Sequence, residues 1–441
     1  MKPHRILLAL GALFTSMNLA ACSDDDKVAT GPWYVPEEGS AARIAYDLDL
    51  TRYLRTAQPV DISERRGADV YEFAPEDGPI CLRGAPYRAS IRESAVGSND
   101  LLIFLQGGGA CWSDFCLAVK TAPPGVPDKA ELLNPNSDRN PVRDFNVVYL
   151  PYCDGSLFIG DNDLDDDGDG VPERFHRGLQ NSSAAYSVAK ERFPNPDRIV
   201  LAGSSGGGYG TILSAFLVRY VWPDAPIYVI NDSGLGIGKD GDPAFIDKLI
   251  SEFGAENFRP DDCPNCLNDG HIIRLTGYLL ERDPNMRVAA YSSWHDSVLA
   301  DAFLKIGQEA FAQATEKKTG EMHDAFPDQY RRFIIDDFAH TATLGDVTGI
   351  VGSDLINGVE LPADAGDLLG SLRIGTLLES IGDLTLSTWL GYFIAGDLDN
   401  WVDITEERTP PNTDGDGDGD GDGDGDGAGD GDGDGDGDGT P

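Results

Sequence analysis

The stretch LAGSSGGGYG, residues 201–210, decides the fold because it places a serine between glycines at a predicted turn. It follows the apolar run 198–202, which predicts a strand, and precedes the apolar run 211–223, which predicts a helix. A strand, a tight turn and a helix form the context of a nucleophile elbow with the pattern Gly-x-Ser-x-Gly. Residues 203–207 have this pattern, so the sequence predicts Ser205 at the turn.

Two other interpretations of this stretch are weaker. A phosphate-binding loop would end in Lys-Ser or Lys-Thr, whereas residues 209–211 read Tyr-Gly-Thr and lack the lysine. Ser204 is the neighbouring candidate nucleophile, but its flanking residues would be Ala202 and Gly206 instead of two glycines. The pattern therefore favours Ser205.

Apolar runs alternate with helical runs through the middle of the chain. The strand-like runs are LLIFLQ (101–106), FNVVYLPY (145–152), PIYVIND (226–232), MRVAAYSS (286–293) and RFIIDD (332–337). Unbroken apolar strands separated by helices indicate a parallel sheet that is buried on both faces. We therefore predict the α/β class, with an α/β-hydrolase-like, mainly parallel sheet flanked by helices and with disordered termini.

A serine nucleophile needs a histidine base and a carboxylate that orients this base. In α/β-hydrolases these residues follow strands and occur in the order Ser, Asp or Glu, His. Asp296 lies just beyond the strand-like run 286–293, and His340 follows the last such run. The predicted triad is therefore Ser205, Asp296 and His340.

Other residues compete for these roles. Asp232 is an alternative acid, because it follows the strand that comes after the nucleophile helix. His295 could be the base only in an unusual geometry, since neighbouring residues point apart on an extended chain. His271 opens a helical run and His323 lies in a polar stretch, so we interpret both as surface residues.

The oxyanion of an acyl-transfer reaction needs hydrogen-bond donors that point at it. The first predicted donor is the N–H of Gly206, the residue after the nucleophile. Further donors should come from a glycine loop after an earlier strand, and residues 107–109, Gly-Gly-Gly, follow the run LLIFLQ. This loop and the elbow together predict an oxyanion hole.

Six segments in order resemble the motifs of the pectin acetylesterase/Notum family of α/β-hydrolases. They are IFLQGGGACWSDFC (103–116), VVYLPYCDGSLFIGDN (147–162), FHRGLQN (175–181), AGSSGGGYGT (202–211), NDSG (231–234) and AAYSSWHDSV (289–298). The resemblance spans about residues 81–340. It implies carboxylic ester hydrolysis by Ser205, Asp296 and His340, with Gly108, Gly109 and Gly206 around the oxyanion.

The chain departs from the family pattern at two glycines. Gly206 stands where family members often have alanine, and this change leaves the backbone N–H in place. Gly109 stands where some members have a bulky aromatic residue. The second departure leaves the shape of the acyl pocket, and with it the acyl specificity, open.

The N-terminus predicts export as a bacterial lipoprotein. A basic start (1–5) and a short apolar run (6–20) end in LAAC, where small residues precede Cys22. We expect cleavage before Cys22, lipidation of its sulfur, and location in the outer membrane or at the cell surface, because Ser23 follows. The predicted segments are a signal peptide (1–21), a lipidated tether (22–40), a catalytic domain (41–408) and a disordered Asp-Gly tail (409–441).

Six cysteines remain after Cys22, and an even number in an exported chain predicts disulfides. Cys111 with Cys116 and Cys263 with Cys266 are close enough to close small loops, which leaves Cys81 with Cys153. The family resemblance also implies the Cys81–Cys153 and Cys111–Cys116 pairs. A zinc site built on the segment CPNC (263–266) is the weaker alternative, since the chain has no second CxxC.

Acidic residues dominate the charge of the chain. The net charge of −41 argues against nucleic acid as a partner, because phosphates are bound by clusters of Lys and Arg. In the segment DLDDDGDGVPER (163–174), the alternating Asp163, Asp165, Asp167 and Asp169 resemble a short calcium loop. A solvated acidic loop is the alternative, because no acid stands at the twelfth position of an EF-hand. The serine chemistry itself needs no metal.

We therefore expect a monomeric serine esterase that acts through an acyl-enzyme. Its expected substrate is an acylated, most simply acetylated, polysaccharide or another surface polymer, and the membrane is reached through the lipid at Cys22. One alternative is a lipase-like deacylase for longer acyl chains. Another is a non-catalytic, calcium-dependent surface binding protein, against which the complete set of triad candidates argues.

Overall fold

The computed structural model describes residues 30–345, 359–360 and 373–409. The predicted signal peptide, Cys22 and residues 410–441 of the predicted tail lie outside the described residues. The described helices are α1 (Ala41–Asp47), α2 (Gly178–Arg192), α3 (Gly206–Val221), α4 (Pro243–Phe253), α5 (Arg274–Leu280), α6 (Gln308–Ala325) and α7 (Leu386–Ala395), with a π-helical turn at Val298–Phe303. None of them is long and apolar enough to cross a membrane.

The described strands are β1 (Pro59–Arg65), β2 (Ala68–Phe73), β3 (Arg88–Arg92), β4 (Leu101–Leu105), β5 (Gly109–Trp112), β6 (Phe115–Val119), β7 (Asn146–Leu150), β8 (Asn162–Leu164), β9 (Arg174–His176), β10 (Ile199–Ser204), β11 (Ile227–Asp232), β12 (Met286–Ser293), β13 (Tyr330–Ile335), β14 (Val359–Glu360), β15 (Ser380–Ile381), β16 (Leu384–Thr385) and β17 (Ile404–Thr405).

A ten-stranded sheet runs through the molecule in the order β1-β2-β3-β7-β4-β10-β11-β12-β13-β17. All neighbours from β7 to β17 are parallel, whereas β1, β2 and β3 form an antiparallel edge next to β7. Each apolar run that predicts a strand forms a strand of this sheet. The prediction of a mainly parallel α/β-hydrolase-like sheet is confirmed.

The central strands are apolar on both faces because helices cover both. Ile199 and Leu201 of β10 share a buried cluster with Phe216 of α3. Val200, which points the opposite way, shares a cluster on the other face with Trp389 of α7. The carboxyl ends of the parallel strands therefore meet at one edge of a rigid sheet, and this is where ligand sites of such sheets lie.

Three disulfides cross-link segments outside the ten-stranded sheet. The structure pairs Cys81 with Cys153, Cys111 with Cys116, and Cys263 with Cys266. The first pair bridges 72 positions and ties the start of the β3 region to the segment after β7. All six cysteines are used in this way, which leaves no thiolate for the alternative zinc site.

Candidate active site

Ser205 occupies a strained position between β10 and α3. Its backbone angles are φ 56° and ψ −121°, in the left-handed half of the map that non-glycine residues rarely adopt. The turn is possible because its flanks are glycines: a Cβ on Gly203 would lie 2.2 Å from the Gly207 carbonyl oxygen, and one on Gly207 2.1 Å from the Leu105 carbonyl oxygen. The nucleophile elbow is therefore present, with Ser205 at its apex.

The structure brings the three predicted triad residues together. The distance from His340 Nε2 to Ser205 Oγ is 2.7 Å, and that from His340 Nδ1 to Asp296 Oδ2 is 2.8 Å. Asp296 is fully buried, and its other oxygen accepts a hydrogen bond from the backbone N–H of Leu299 at 3.0 Å. With Nδ1–H donating to Asp296, the lone pair of Nε2 faces the Ser205 hydroxyl as an acceptor.

Charges around His340 favour its protonated form. Burial of the ring opposes the imidazolium, but the carboxylates of Asp296 and Asp232 outweigh this effect and raise the pKa of His340 above its usual value. A base whose cation is stabilised in this way can hold the serine proton during an attack on a carbonyl.

Two of the three predicted oxyanion donors, Gly206 and Gly109, line the same pocket as Ser205. Gly206 is the first residue of α3, where backbone N–H groups have no partner within the helix. Gly109 approaches it closely, since a Cβ on Gly206 would lie 2.8 Å from the Gly109 carbonyl oxygen. Gly108 lies against Tyr152, and its carbonyl accepts a hydrogen bond from Val119 at 2.9 Å. The role of the three N–H groups as oxyanion donors remains a prediction.

A deep apolar pocket opens beside Ser205. It contains about 840 Å³ of empty space, including space open to solvent, and its rim includes Gly109, Ser205 and Gly206. The apolar walls are formed by Trp112, Leu157, Ile159, Tyr209, Leu213, Ile237, Phe245, Ile246, Leu249, Ile250, Phe253, Ile272, Leu275, Leu299, Phe303 and Leu304.

The sequence interpretation did not identify the walls of this pocket. Helix α4 supplies five wall residues, and its apolar residues recur at helical spacing, a signal that also fits an ordinary core helix. Leu157 and Phe158 have φ values of 58° and 68°, and this strained turn presents Leu157 to the pocket beside Gly206. Glycine is the residue that usually signals a positive φ in a sequence, and neither Leu157 nor Phe158 is a glycine. No local pattern therefore predicts this turn.

The competing acid and bases make other contacts. The Asp232 carboxylate bonds to Ala342 and Thr343 after the base, and among the described residues it has no hydrogen bond to the His340 ring. Nε2 of His295 lies 3.0 Å from the carbonyl oxygen of Thr409, and Nδ1 of His323 lies 2.9 Å from that of Tyr330.

The interpretation of His271 as a surface residue is wrong. Its side chain is completely buried, and Nδ1 accepts a hydrogen bond from the Gly238 N–H at 3.0 Å. His271 therefore supports the loop at the pocket, where residues 236–238 form part of the wall.

The acidic insertion forms a cluster with a different membership from that predicted. Oxygen atoms of Asp165, Asp167, Asp169 and Glu173 all lie within 4.8 Å of one another. Asp163 instead forms an ion pair with Arg177 at 2.5 Å. Glu173 stands at the ninth position from Asp165, whereas the EF-hand pattern expects its acid at the twelfth, so that pattern does not predict Glu173. These four carboxylates are hard oxygen ligands of the kind that Ca²⁺ takes.

Comparisons with known proteins agree on one family. Residues 68–241 match the family model described as pectinacetylesterase. Pectin acetylesterase 11 of Arabidopsis thaliana is 26% identical over 218 residues, covering 44% of this chain and 54% of that protein. The palmitoleoyl-protein carboxylesterase notum2 of Xenopus laevis is 26% identical over 149 residues, covering 30% of this chain and 29% of that protein.

The fold matches that of a solved relative. The structure of the Wnt deacylase Notum from Drosophila aligns with a TM-score of 0.51 and 13% identity, covering 80% of this chain and 96% of that one. The chain spans about half the length of the curated pectin acetylesterases that it matches. Residues 68–241 are therefore similar to the pectinacetylesterase family, the curated relatives are pectin acetylesterases and Notum carboxylesterases, and the structural match shows a Notum-like fold.

Proposed function

We propose that this protein is a serine carboxylic ester hydrolase with Ser205 as its nucleophile. The observation that carries the proposal is the hydrogen-bonded series Ser205, His340 and Asp296 at the rim of an apolar pocket. The names of the relatives support it, since they are pectin acetylesterases and palmitoleoyl-protein carboxylesterases.

The proposed reaction proceeds through an acyl-enzyme. His340 Nε2 takes the Ser205 proton while Oγ attacks the ester carbonyl, and Asp296 stabilises the imidazolium that forms. The backbone N–H groups of Gly108, Gly109 and Gly206 hold the oxyanion. His340 then gives its proton to the departing alcohol. Water repeats these steps at the acyl-serine and releases the acid and free Ser205.

For the substrate we propose an acylated polysaccharide or another surface polymer, with acetyl as the simplest acyl group. A second candidate is a longer acyl chain, and the apolar pocket favours it. An acetyl group has a single methyl group to bury, whereas the walls contributed by α3, α4 and the turn at Leu157 offer an extended apolar surface. Both candidates use the same serine chemistry.

The first prediction tests the nucleophile and the chain length together. We expect Ser205→Ala to lose hydrolysis of p-nitrophenyl esters by roughly 10⁴-fold or more, because the attacking oxygen is removed. Ser204→Ala is the matched control and should keep activity within a few-fold. Esters from acetate to palmitate, assayed in parallel, separate a short-chain esterase from a long-chain deacylase.

Two outcomes of this assay would reject the proposal. Hydrolysis that persists in Ser205→Ala would exclude this serine as the nucleophile. Complete inactivity of the folded wild-type protein toward every ester would favour the non-catalytic surface binding protein.

We further propose that the protein is exported and anchored through a lipid on Cys22, at the outer membrane or cell surface, and that it acts as a monomer. The support is the basic, apolar and small-residue pattern of residues 1–22. Replacement of Cys22 by serine should move the protein from the membrane fraction to the soluble fraction.

For the acidic cluster at Asp165 and Glu173 we propose a structural calcium ion.

A further inference from the structure

A second buried carboxylate lies beside the triad and takes no part in the proposed chemistry. Asp232 is the last residue of β11, and its side chain is fully buried. Its oxygens accept hydrogen bonds from the Ala342 N–H at 3.0 and 3.1 Å, the Thr343 N–H at 2.7 Å and the Thr343 hydroxyl at 2.6 Å. All these donors belong to the loop that follows His340.

The same residue also binds the nucleophile elbow. The backbone carbonyl of Asp232 accepts a hydrogen bond from the Ser205 N–H at 2.8 Å, and β11 lies parallel to β10 with Asp232 opposite Ser204. The next residue repeats the arrangement, since the Ser233 hydroxyl accepts a hydrogen bond from the Thr341 N–H at 3.0 Å. The end of β11 thus contacts both the strained serine turn and the histidine loop.

We propose that Asp232 is a positioning residue that fixes the His340 loop in register with Ser205 and stabilises the positive charge that develops on His340. The inference rests on the proposed function, because it assigns a role in the same serine reaction. Asp232 does not replace Asp296, which contacts the imidazole directly.

The hydrogen bonds indicate that Asp232 is ionised. Burial raises the pKa of the Asp232 carboxyl, but its hydrogen bonds to Thr343 and Ala342 and the nearby His340 favour the charged form. The N–H groups of Ala342 and Thr343 can only donate, and both oxygens of Asp232 receive such a bond, which fits a carboxylate better than a protonated acid. A buried anion at this point favours the imidazolium of the transition state over the neutral ring.

The charged groups around His340 belong to three neighbouring segments of the chain. Asp296 contacts the ring from the segment after β12, and Asp232 faces it from the end of β11. On the third side, the His340 N–H donates to the Arg373 carbonyl at 2.8 Å, and the Arg373 side chain is paired with Asp337. Asp337 is neutralised by this ion pair, so within the described part of the chain the uncompensated carboxylates acting on the ring are Asp296 and Asp232.

The second prediction uses Asp232→Asn, which keeps the shape and one acceptor oxygen but removes the charge. We expect kcat for p-nitrophenyl acetate to fall by about 10- to 100-fold with little change in KM. The acidic limb of the kcat/KM profile should move to lower pH, because the imidazolium loses an anion. Asp232→Ala should lose more activity, since it leaves three buried donors unpaired.

Two further variants keep the test decisive. Thr343→Val removes a single donor and preserves the carboxylate, so we expect kcat to fall by about 3- to 10-fold even if the Asp232 variants do not fold. Asp283→Asn is the matched control: this carboxylate is also buried, but it pairs with Arg219 at 2.6 Å before β12, at the opposite end of the sheet. It should lower the Tm and leave the acidic limb unmoved.

The outcomes separate this inference from the proposed function. If Ser205→Ala retains activity, the proposed function fails and the inference fails with it. If hydrolysis depends on Ser205 but folded Asp232→Asn has a kcat within twofold of wild type and an unmoved acidic limb, the inference alone is overturned. It is also overturned if Asp283→Asn moves the limb equally, or if Thr343→Val, tested alone, keeps its full kcat.

Discussion

Ser205 has a strained backbone conformation that contacts with its neighbours hold in place. A left-handed non-glycine residue costs of the order of 1–3 kcal/mol and persists where its surroundings fix it. Here the surroundings are the hydrogen bond from its N–H to Asp232 and the close glycine contacts of the turn. In this conformation Oγ lies 2.7 Å from His340 Nε2, which is the orientation that the proposed nucleophile needs.

The third prediction concerns pH. The proposed mechanism needs neutral His340, and the pKa of this residue is raised above 6.5 by Asp296 and Asp232 against the effect of burial. Activity should therefore be present above this raised pKa and fall as the pH drops through it. The acidic limb of kcat/KM should lie above pH 6.5.

Asp296→Asn tests the cause of this limb. Loss of the carboxylate should move the limb to lower pH and reduce kcat by about 10⁴-fold, since the imidazole loses both its orientation and its stabilising charge. Near-complete activity in this variant, with an unchanged limb, would contradict the assignment of Asp296 as the triad acid.

At the scale of elements, α4 forms one wall of the apolar pocket beside Ser205. The helix presents Phe245, Leu249 and Phe253 to the pocket and Asp247 to solvent. Its end is fixed from outside, because Arg174 of β9 pairs with Glu252 at 2.6 Å. The helix is therefore a supported wall, and a change in the volume of a wall side chain should change which acyl chains fit.

The fourth prediction follows from this wall. Leu249→Trp should reduce hydrolysis of long-chain esters by about tenfold or more relative to acetate, because the indole fills space that a chain would occupy. Asp247→Trp places the same side chain on the exposed face and should leave the chain-length profile unchanged. Equal profiles for both variants and the wild type would exclude this pocket as the acyl site.

The sequence predicted the strands that are buried on both faces of the sheet. The runs that became β4, β7, β10, β11, β12 and β13 could be identified because strands covered on both faces must be apolar throughout. Strand β1 was missed, since Val60 and Ile62 are exposed and the strand carries no burial signal.

The sequence predicts those site residues that follow strands in a known order. It does not predict contacts that form only when distant segments of the chain come together. Ser205, Asp296 and His340 could be chosen because each follows a strand in a known order. The contact between Asp232 and Thr343 joins residues 111 positions apart, and no local pattern reports it. The pocket walls pose the same difficulty, because sequence does not distinguish an apolar residue facing a cavity from one facing the core.

The whole molecule is strongly acidic, and part of this charge is concentrated in the insertion. Arg174 joins the insertion to the pocket helix, since it pairs with Asp166 at 2.7 Å as well as with Glu252. The four clustered carboxylates repel one another when no cation is bound. Neutralisation of this repulsion should therefore stabilise a part of the fold that contacts α4.

The fifth prediction is that calcium raises the Tm of the wild-type protein by a few degrees. Asp167→Asn with Glu173→Gln should abolish this increase, because two of the four ligands lose their charge. Asp163→Asn is the control, since Asp163 pairs with Arg177 outside the cluster. A calcium effect that survives the double substitution would place the ion elsewhere, and no effect in the wild type would favour a solvated acidic loop.

The chain enters the described structure far from the nucleophile. Tyr34 stacks on Tyr220 with ring centroids 4.9 Å apart, and Tyr220 lies in the last turn of α3. Ser205 precedes the first turn of the same helix, so the two points are about 22 Å apart along its axis. The segment that leads from Cys22 therefore reaches the domain at the end of α3 opposite the active site.

The central claim, that Ser205 is the nucleophile, is tested most directly by covalent labelling with a fluorophosphonate, followed by mass spectrometry. Trypsin releases the peptide 199–219, bounded by Arg198 and Arg219, and fragmentation of this peptide separates Ser204 from Ser205. We predict one label per chain, on Ser205, with normal labelling of Ser204→Ala and none at this site in Ser205→Ala. Ester hydrolysis without a label on Ser205, or with the label on another residue, would contradict the account.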